Sequence, residues 1–195
     1  MQSRQSAVKW KREAAGISRA AQAEGTMMKL TIVRHAAAIE RTVGGSEERR
    51  YLTPEGREFF RKTARTMLKK GARPDLILTS PLLRAVQTAD ILAETLEYAG
   101  PLQAVDELSP GFDLPSFRRL VATYHGAGDL VLVGHEPDLS TLIATLLTLP
   151  AGFTFRKGGA VRLKLDPADP QGTAAFKWMA VGGKLITSRE EAFAR

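Results

Sequence analysis

Residues 29–38, KLTIVRHAAA, carry the pattern from which the fold can be worked out. The apolar, β-branched half of this stretch, from Leu30 to Val33, stops abruptly on Arg34 and His35. A buried parallel strand has this pattern when it delivers functional side chains at its carboxyl end. The stretch therefore predicts a central strand with a site at its end.

Two later stretches end in the same way. One runs from Asp75 to Thr79 and continues through SPLL to Arg84, and the other runs from Asp129 to Val133 and continues into Gly134 and His135. If the three strands are parallel neighbours, their polar ends meet at one edge of a sheet. The side chains that would meet there are Arg34, His35, Arg84 and His135.

Strand and helix patterns alternate along the chain. They predict strands over residues 30–33, 76–79, 101–105 and 130–133, and helices over residues 54–71, 82–96, 114–124 and 137–149. Residues 160–165 and 175–179 alternate between apolar and polar side chains, which predicts a terminal antiparallel hairpin. The expected fold class is α/β, a three-layer α/β/α sandwich whose mostly parallel central sheet has an antiparallel edge.

Composition and charge exclude several classes of function. The 195 residues are 44% hydrophobic and 25% charged, which indicates one ordinary globular domain. The absence of cysteine excludes disulfides and a cysteine nucleophile and favours a cytoplasmic location. The net charge of +7 is diffuse, without a basic block interleaved with aromatic residues, and this argues against nucleic-acid binding. The uncharged residues 139–153 contain threonines and a proline and fall short of the roughly 18 apolar residues of a membrane span.

The first 27 residues differ in composition from the rest. They are rich in Ala, Gln, Ser and Arg, carry +3 of the net charge, and lack the apolar segment of a secretory signal. We predict a disordered N-terminal extension or an upstream mis-start over residues 1–27, with Met27 or Met28 as the true start, and a domain over residues 28–195. A targeting or docking peptide is the alternative for the extension.

The polar strand ends indicate an anion site. A buried arginine needs an anionic partner, because the guanidinium group does not lose its charge. Arg84 would also lie in the first turn of a helix, where free backbone N–H groups favour an anion. Two arginines fit the oxygens of a phosphoryl group, and between them His35 would offer an unprotonated ring nitrogen as a nucleophile.

Each of these residues has a structural alternative. A lone strand-end histidine is more often a core residue, a lone arginine is usually an ion-pair partner, and His135 alone could cap its helix. His125 lacks comparable context and is expected to be a solvated loop residue. A histidine metal site has little support, because the three histidines lack helical ligand spacing and an acidic cluster.

The residues around the polar strand ends resemble three signatures of a known family. The signatures are VRHA at residues 33–36, SPLLRAVQTA at residues 80–89 and VGH at residues 133–135. They resemble the histidine phosphatase superfamily, and LTPEG at residues 52–56 is similar to its phosphohistidine phosphatase, or SixA-type, branch. The resemblance covers about residues 28–182 and implies a phosphoglycerate-mutase-like fold.

The resemblance also implies roles for individual residues. His35 would be the nucleophile that accepts the phosphoryl group, and no metal or other cofactor is implied. The residues that would bind the phosphoryl oxygens are Arg34, Arg84 and His135, with Arg50 and Ser80 lining the pocket.

The sequence departs from the family pattern at two places. Ala36 follows the nucleophile where the commonest signature has glycine. Pro110 stands where many members have a catalytic glutamate, so Glu107 is a candidate proton donor, with a surface carboxylate as the alternative.

The missing acid and the short connection after the third strand favour a phosphorylated protein as substrate. Phosphohistidine has an imidazole leaving group that is easily protonated, whereas an ester needs a placed acid. We therefore predict a metal-independent protein phosphohistidine phosphatase. The alternatives are a small-molecule phosphomonoesterase or mutase of the same superfamily and a non-catalytic phosphate-binding module.

Overall fold

A seven-stranded sheet organises the residues that the computed structural model describes, namely 27–40, 46–150, 152–169 and 173–194. The strands are β1 (Met28–Arg34), β2 (Leu76–Thr79), β3 (Leu102–Ala104), β4 (Asp129–Gly134), β5 (Gly159–Leu165), β6 (Ala175–Val181) and β7 (Lys184–Ile186). The order across the sheet is β3-β2-β4-β1-β5-β6-β7, with parallel pairing from β3 to β1 and antiparallel pairing from β1 to β7. Residues 1–26, which carry most of the predicted extension, lie outside the described residues.

Helices cover both faces of the sheet. On one face α1 (Pro54–Lys69) and α2 (Leu83–Leu96) bury Phe60, Met67 and Leu92 against the sheet. On the other face α3 (Leu114–Thr123) and α4 (Asp138–Leu147) bury Phe117 and Ile143. A short helix, α5 (Arg189–Ala192), follows β7. The predicted three-layer α/β/α sandwich is confirmed.

Local sequence explains where the helices begin and end. Thr53 caps α1 by accepting a hydrogen bond from the N–H of Gly56, and proline occupies the first position of the helix. Asp113 caps α3 in the same way through Ser116. The helix predicted to reach residue 149 ends at Leu147, because Thr148 adopts a left-handed conformation. In the described ranges, every helix is too short or too polar to cross a membrane.

The register of the parallel strands brings the polar strand ends together. Arg34 pairs with Gly134, and Thr79 pairs with Val133, so β1, β4 and β2 end within one residue of each other. The residues that follow, His35, His135 and Ser80, therefore leave the sheet side by side. This alignment is the condition on which the predicted site depends.

The C-terminal strands differ in part from the sequence prediction. The hairpin exists as β5 and β6, but β5 also pairs with β1 and lies inside the sheet. Arg162 of β5 is therefore buried, and its Nη1 donates to Asp129 Oδ1 at 2.6 Å and to Thr31 Oγ1 at 2.6 Å. Strand β7 and helix α5 were not predicted, because short elements lack a readable period.

Candidate active site

His35 follows the end of β1, and each of its ring nitrogens has a hydrogen-bond partner. Its Nδ1 is 2.8 Å from the carbonyl oxygen of Ala36. A carbonyl oxygen only accepts hydrogen bonds, so Nδ1 carries the proton and Nε2 carries the lone pair. Arg84 Nε donates to this Nε2 over 3.3 Å. The backbone next to His35 thus selects the tautomer that a nucleophilic Nε2 requires.

The surroundings of His35 keep the ring neutral. Burial is the main cause that lowers the pKa of His35 to about 3; the hydrogen bond to Ala36 opposes this shift, and the nearby His135, Arg84 and Arg34 add to it. Only 8% of the surface of His35 is exposed, so the ring is largely shielded from solvent. At neutral pH the ring is therefore uncharged, which is the form that a base or a nucleophile requires.

His135 lies beside His35 and is held by Ser80. The two imidazole centroids are 5.0 Å apart, and His135 Nε2 is 2.8 Å from Ser80 Oγ. Burial and Arg84 lower the pKa of His135 to about 4, and Glu47 opposes this shift. Ser80 was expected to line the pocket. It is fully buried, and its hydroxyl contacts the His135 ring.

Arg34 is the last residue of β1, and backbone groups of the segment before β5 hold it. Its Nη1 donates to the carbonyl oxygen of Phe155, and burial lowers its pKa while the nearby Glu136 raises it. The N–H of Gly158 donates to the carbonyl oxygens of Arg34 and His35 at 3.2 and 3.1 Å. The segment before β5 therefore fixes the strand end that carries both site residues.

Arg84 and Arg50 meet at a carboxylate that the sequence did not single out. Arg84 Nη2 is 3.0 Å from Glu47 Oε1, and its Nη1 donates to the Glu47 carbonyl oxygen at 2.9 Å. Arg50 Nη1 is 2.8 Å from the same Oε1, and Arg50 Nε donates to Ile39 O at 2.8 Å. Burial lowers the pKa of Arg84, and Glu47 opposes that shift. The two arginines thus form a fork around one anionic oxygen.

Two predicted residues lie apart from this cluster. Glu107 is exposed in a 3-10 turn after β3, and in the described part of the chain no hydrogen bond or ion pair joins it to the site. Burial raises the pKa of Tyr124, and the nearby Glu107 adds to this shift. His125 is exposed, as expected, with Nδ1 2.9 Å from Ala122 O. Among the described residues, no group of three or more His, Cys, Asp or Glu could hold a metal ion.

Comparison with known proteins identifies the family. Residues 30–109 match the model of the histidine phosphatase superfamily, branch 1. An uncharacterized protein of Picosynechococcus is 34% identical over 145 residues, which cover 72% of this chain and 87% of the relative. The chain belongs to the histidine phosphatase superfamily. It is also 28% identical to the phosphohistidine phosphatase SixA of Escherichia coli, over 77% of this chain and 92% of that protein, so this histidine phosphatase is of the SixA type.

Solved structures share the fold of this histidine phosphatase. The protein histidine phosphatase SixA complexed with tungstate aligns with a TM-score of 0.70 and 24% identity, over 80% of this chain and 97% of that one. The α-ribazole phosphatase of Shigella flexneri aligns with a TM-score of 0.59 and 20% identity, over 83% and 97%. Phosphoglycerate mutase of Bacillus anthracis aligns with a TM-score of 0.60 and 13% identity, over 82% and 94%. The predicted phosphoglycerate-mutase-like fold is confirmed, and membership of the superfamily supports phosphatase activity.

Sequence reasoning missed two parts of the site. Glu47 lies three residues before Arg50 in a loop that was noted only for its length and charge, and nothing in the sequence separates it from Glu48. The backbone groups of Phe155 and Gly158 carry no side-chain signal, so sequence could not reveal that they hold Arg34 and His35.

Proposed function

We propose that this protein is a protein phosphohistidine phosphatase that works through a phosphorylated His35. The observation that carries the proposal is the tautomer of His35: Nδ1 is bound to Ala36 O, and the Nε2 lone pair faces Arg84. A buried neutral imidazole beside two positively charged side chains suits attack on a phosphoryl group.

The reaction takes two in-line transfers. In the first, His35 Nε2 forms a bond to phosphorus while the bond from phosphorus to the substrate's imidazole nitrogen breaks, and that nitrogen takes up a proton from solvent water. In the second, water attacks the phosphorus, the bond to Nε2 breaks, and inorganic phosphate leaves. Arg34, Arg84 and His135 stabilise the equatorial oxygens in both transfers. Ser80 holds the His135 ring in place.

Three observations support a protein-bound phosphohistidine over a small ester. Within the described residues Glu107 is not joined to the cluster, so it does not stand ready as the acid that an alkoxide leaving group needs. Three large apolar side chains that flank the pocket in sequence or space, Tyr51, Phe59 and Leu83, are exposed. The pocket also lies next to the exposed residues 156 and 157, an arginine and a lysine that precede Gly158. A mixed apolar and basic rim suits a protein surface.

Trapping the intermediate tests the proposal. The enzyme is mixed with phosphoramidate or a phosphohistidine protein, quenched with base, and analysed by mass spectrometry for phosphate on a histidine. We expect acid-labile phosphate on His35, and no labelling and at least about 10³-fold lower turnover in His35→Ala. His125→Ala is the matched control and should keep full turnover. Turnover without phosphate on His35 would contradict the mechanism.

Metal independence needs a separate measurement. We expect EDTA to leave turnover unchanged and vanadate to inhibit it, since vanadate resembles the trigonal transition state. Loss of activity with EDTA that added metal restores would favour a metal site instead.

The substrate class is tested by competition between substrates. A phosphohistidine protein or phosphoramidate should have a higher kcat/KM than sugar phosphates or an aryl phosphate. A wide preference for a small phosphomonoester would indicate the alternative function, a small-molecule phosphomonoesterase. In that case Glu107→Gln would show whether Glu107 supplies the proton.

A further inference from the structure

Glu47 occupies the hydrogen-bonding groups that a phosphoryl group would need. All three nitrogens of the Arg84 guanidinium group are engaged: Nε with His35 Nε2, Nη1 with the Glu47 carbonyl oxygen, and Nη2 with Glu47 Oε1. Arg50 Nη1 binds the same Oε1. Nη1 and Nη2 each keep a second N–H group, but a phosphoryl oxygen that binds the Nη2 edge of Arg84 competes there with Glu47 Oε1.

Burial and charge indicate that this contact is exchangeable. The Arg84 side chain is 5% exposed, whereas that of Glu47 is 38% exposed, so the arginine is buried in the protein and the glutamate is the partner on the solvent side of the contact. Burial of a guanidinium group without an anionic partner costs free energy. A carboxylate supplies such a partner with one negative charge, whereas a phosphoryl dianion supplies two. Replacement of the Glu47 carboxylate by a phosphoryl dianion is therefore favourable. The dianion nevertheless binds more weakly than it would if no carboxylate occupied the two arginines.

We propose that Glu47 is an internal anion that substrate displaces from Arg84 and Arg50 and that returns when inorganic phosphate leaves. This inference rests on the phosphoryl site proposed above, and it assigns Glu47 a role in setting the affinity of that site. Glu47 Oε1 accepts hydrogen bonds from Arg84 Nη2 and Arg50 Nη1, so the role assigned to Glu47 is competition with the phosphoryl oxygens for these donors. Its return lowers the affinity for product and limits product inhibition.

Equilibrium binding of inorganic phosphate and of tungstate, measured by titration calorimetry, tests this role without turnover. Glu47→Gln keeps the size of the side chain and removes its charge. We expect it to bind both anions about tenfold more tightly, the scale of one lost charge-assisted hydrogen bond, and to show stronger product inhibition by phosphate. Glu47→Ala should move both quantities in the same direction.

Glu48→Gln is the matched control, since Glu48 is exposed in the same 3-10 turn (Glu47–Arg49), and it should bind phosphate as the wild type does. Unchanged or weaker anion binding in both Glu47 variants would overturn the proposal. The proposal would also be overturned if the Glu47 variants turned over a phosphomonoester about two orders of magnitude or more slowly than the wild type while they bound phosphate with unchanged affinity. Glu47 would then be an acid or a base. If the wild type binds neither phosphate nor tungstate, the proposed phosphoryl site is wrong. If the wild type binds these anions but His35 is not phosphorylated in the trapping experiment, only the proposed catalytic mechanism is refuted.

Discussion

At the residue scale, one backbone contact decides the chemistry of His35. The Ala36 carbonyl oxygen fixes the proton on Nδ1, and burial keeps the ring neutral by lowering its pKa. His135 is buried beside it, and its pKa is also lowered. Both histidines therefore resist protonation in the folded protein, and this affects stability as well as reactivity.

The lowered pKa values predict that stability falls with acid. An unfolded histidine takes up a proton near its ordinary pKa of 6.5, whereas folded His35 does so near 3 and His135 near 4. The free energy of unfolding should therefore be highest above pH 6.5 and decline as the pH falls toward 4, because the unfolded state binds more protons there. Each histidine should contribute a loss of about 2 kcal/mol between pH 7 and pH 5.

Urea unfolding at pH 7.5, 6, 5 and 4 measures this dependence. His35→Asn should show a shallower decline than the wild type, and His125→Asn, at an exposed loop, should decline as the wild type does. An unchanged pH dependence in His35→Asn would contradict the assignment of a buried neutral ring.

Ser80 is predicted to act on catalysis through His135. Ser80→Ala removes the hydroxyl 2.8 Å from His135 Nε2 and leaves a buried ring nitrogen without that hydrogen bond. We expect turnover of phosphoramidate to slow by about 10- to 100-fold, since a hydrogen bond that orients a reacting group is worth a few kcal/mol. The control variant is Ser116→Ala, in the first turn of α3, and it should have the same kcat as the wild type. A normal kcat in Ser80→Ala would show that His135 does not depend on this hydroxyl.

At the scale of elements, the start of α1 is packed against the segment that carries the nucleophile. The N–H of Thr53 donates to the carbonyl oxygen of Ala37 at 3.0 Å, and a methyl group placed at Gly56 would lie 2.2 Å from that oxygen. Glycine is needed here because the helix backbone approaches the chain two residues after His35. A shift of the start of α1 would therefore also displace the segment that follows His35.

Gly56→Ala is predicted to disturb both stability and activity. Relief of the 2.2 Å contact requires the backbone of α1 or of Ala37 to shift. We expect a loss of about 1–3 kcal/mol in the free energy of unfolding, the usual cost of overpacking, and a several-fold lower kcat. Urea unfolding and steady-state kinetics measure the two effects. Gly126 has open space around it, so Gly126→Ala should change neither the free energy of unfolding nor kcat. If Gly56→Ala and Gly126→Ala had the same stability and kcat, the close packing at Gly56 would be refuted.

At the scale of the whole molecule, exposed apolar side chains adjoin the two arginines that meet at Glu47, and we call them the rim of the site. Tyr51 follows Arg50, and Leu83 precedes Arg84, whereas the exposed Leu185 belongs to β7, on the far, antiparallel side of the sheet. A small substrate needs only the pocket, but a protein substrate also contacts the rim. The two substrate classes should therefore respond differently to rim mutations.

Tyr51→Ala is predicted to separate the two classes. We expect kcat/KM for a phosphohistidine protein to fall several-fold, as for one interface residue of moderate energy, and kcat/KM for phosphoramidate to stay within about twofold. Leu185→Ala is the control and should affect neither substrate. Equal losses on both substrates would place the effect of Tyr51 in the pocket and not in protein docking.

Local sequence was enough to predict six of the seven described strands, the main helices and the residue types at the strand ends. Runs such as Leu30–Val33 are buried on both faces and end in polar residues, so their pattern is local and readable. The same pattern indicated Arg34, His35, Arg84 and His135 before any contact was known. It also predicted the fold class, because strand and helix alternate in a way that few folds permit.

How those residues face each other depends on the tertiary structure alone. The register of β1 against β4 places His35 beside His135, and the segment before β5 binds Arg34 and His35 through backbone groups that no side chain reports. Arg162 was expected in an alternating edge hairpin and is buried because β5 joins the sheet at β1. Glu47 and Glu48 are the same residue type in the same 3-10 turn, and only the direction of the side chain distinguishes them. That direction depends on the position of Arg84, which the start of α2 determines. Contacts between residues far apart in the chain depend on packing, and packing leaves no periodic trace in the sequence.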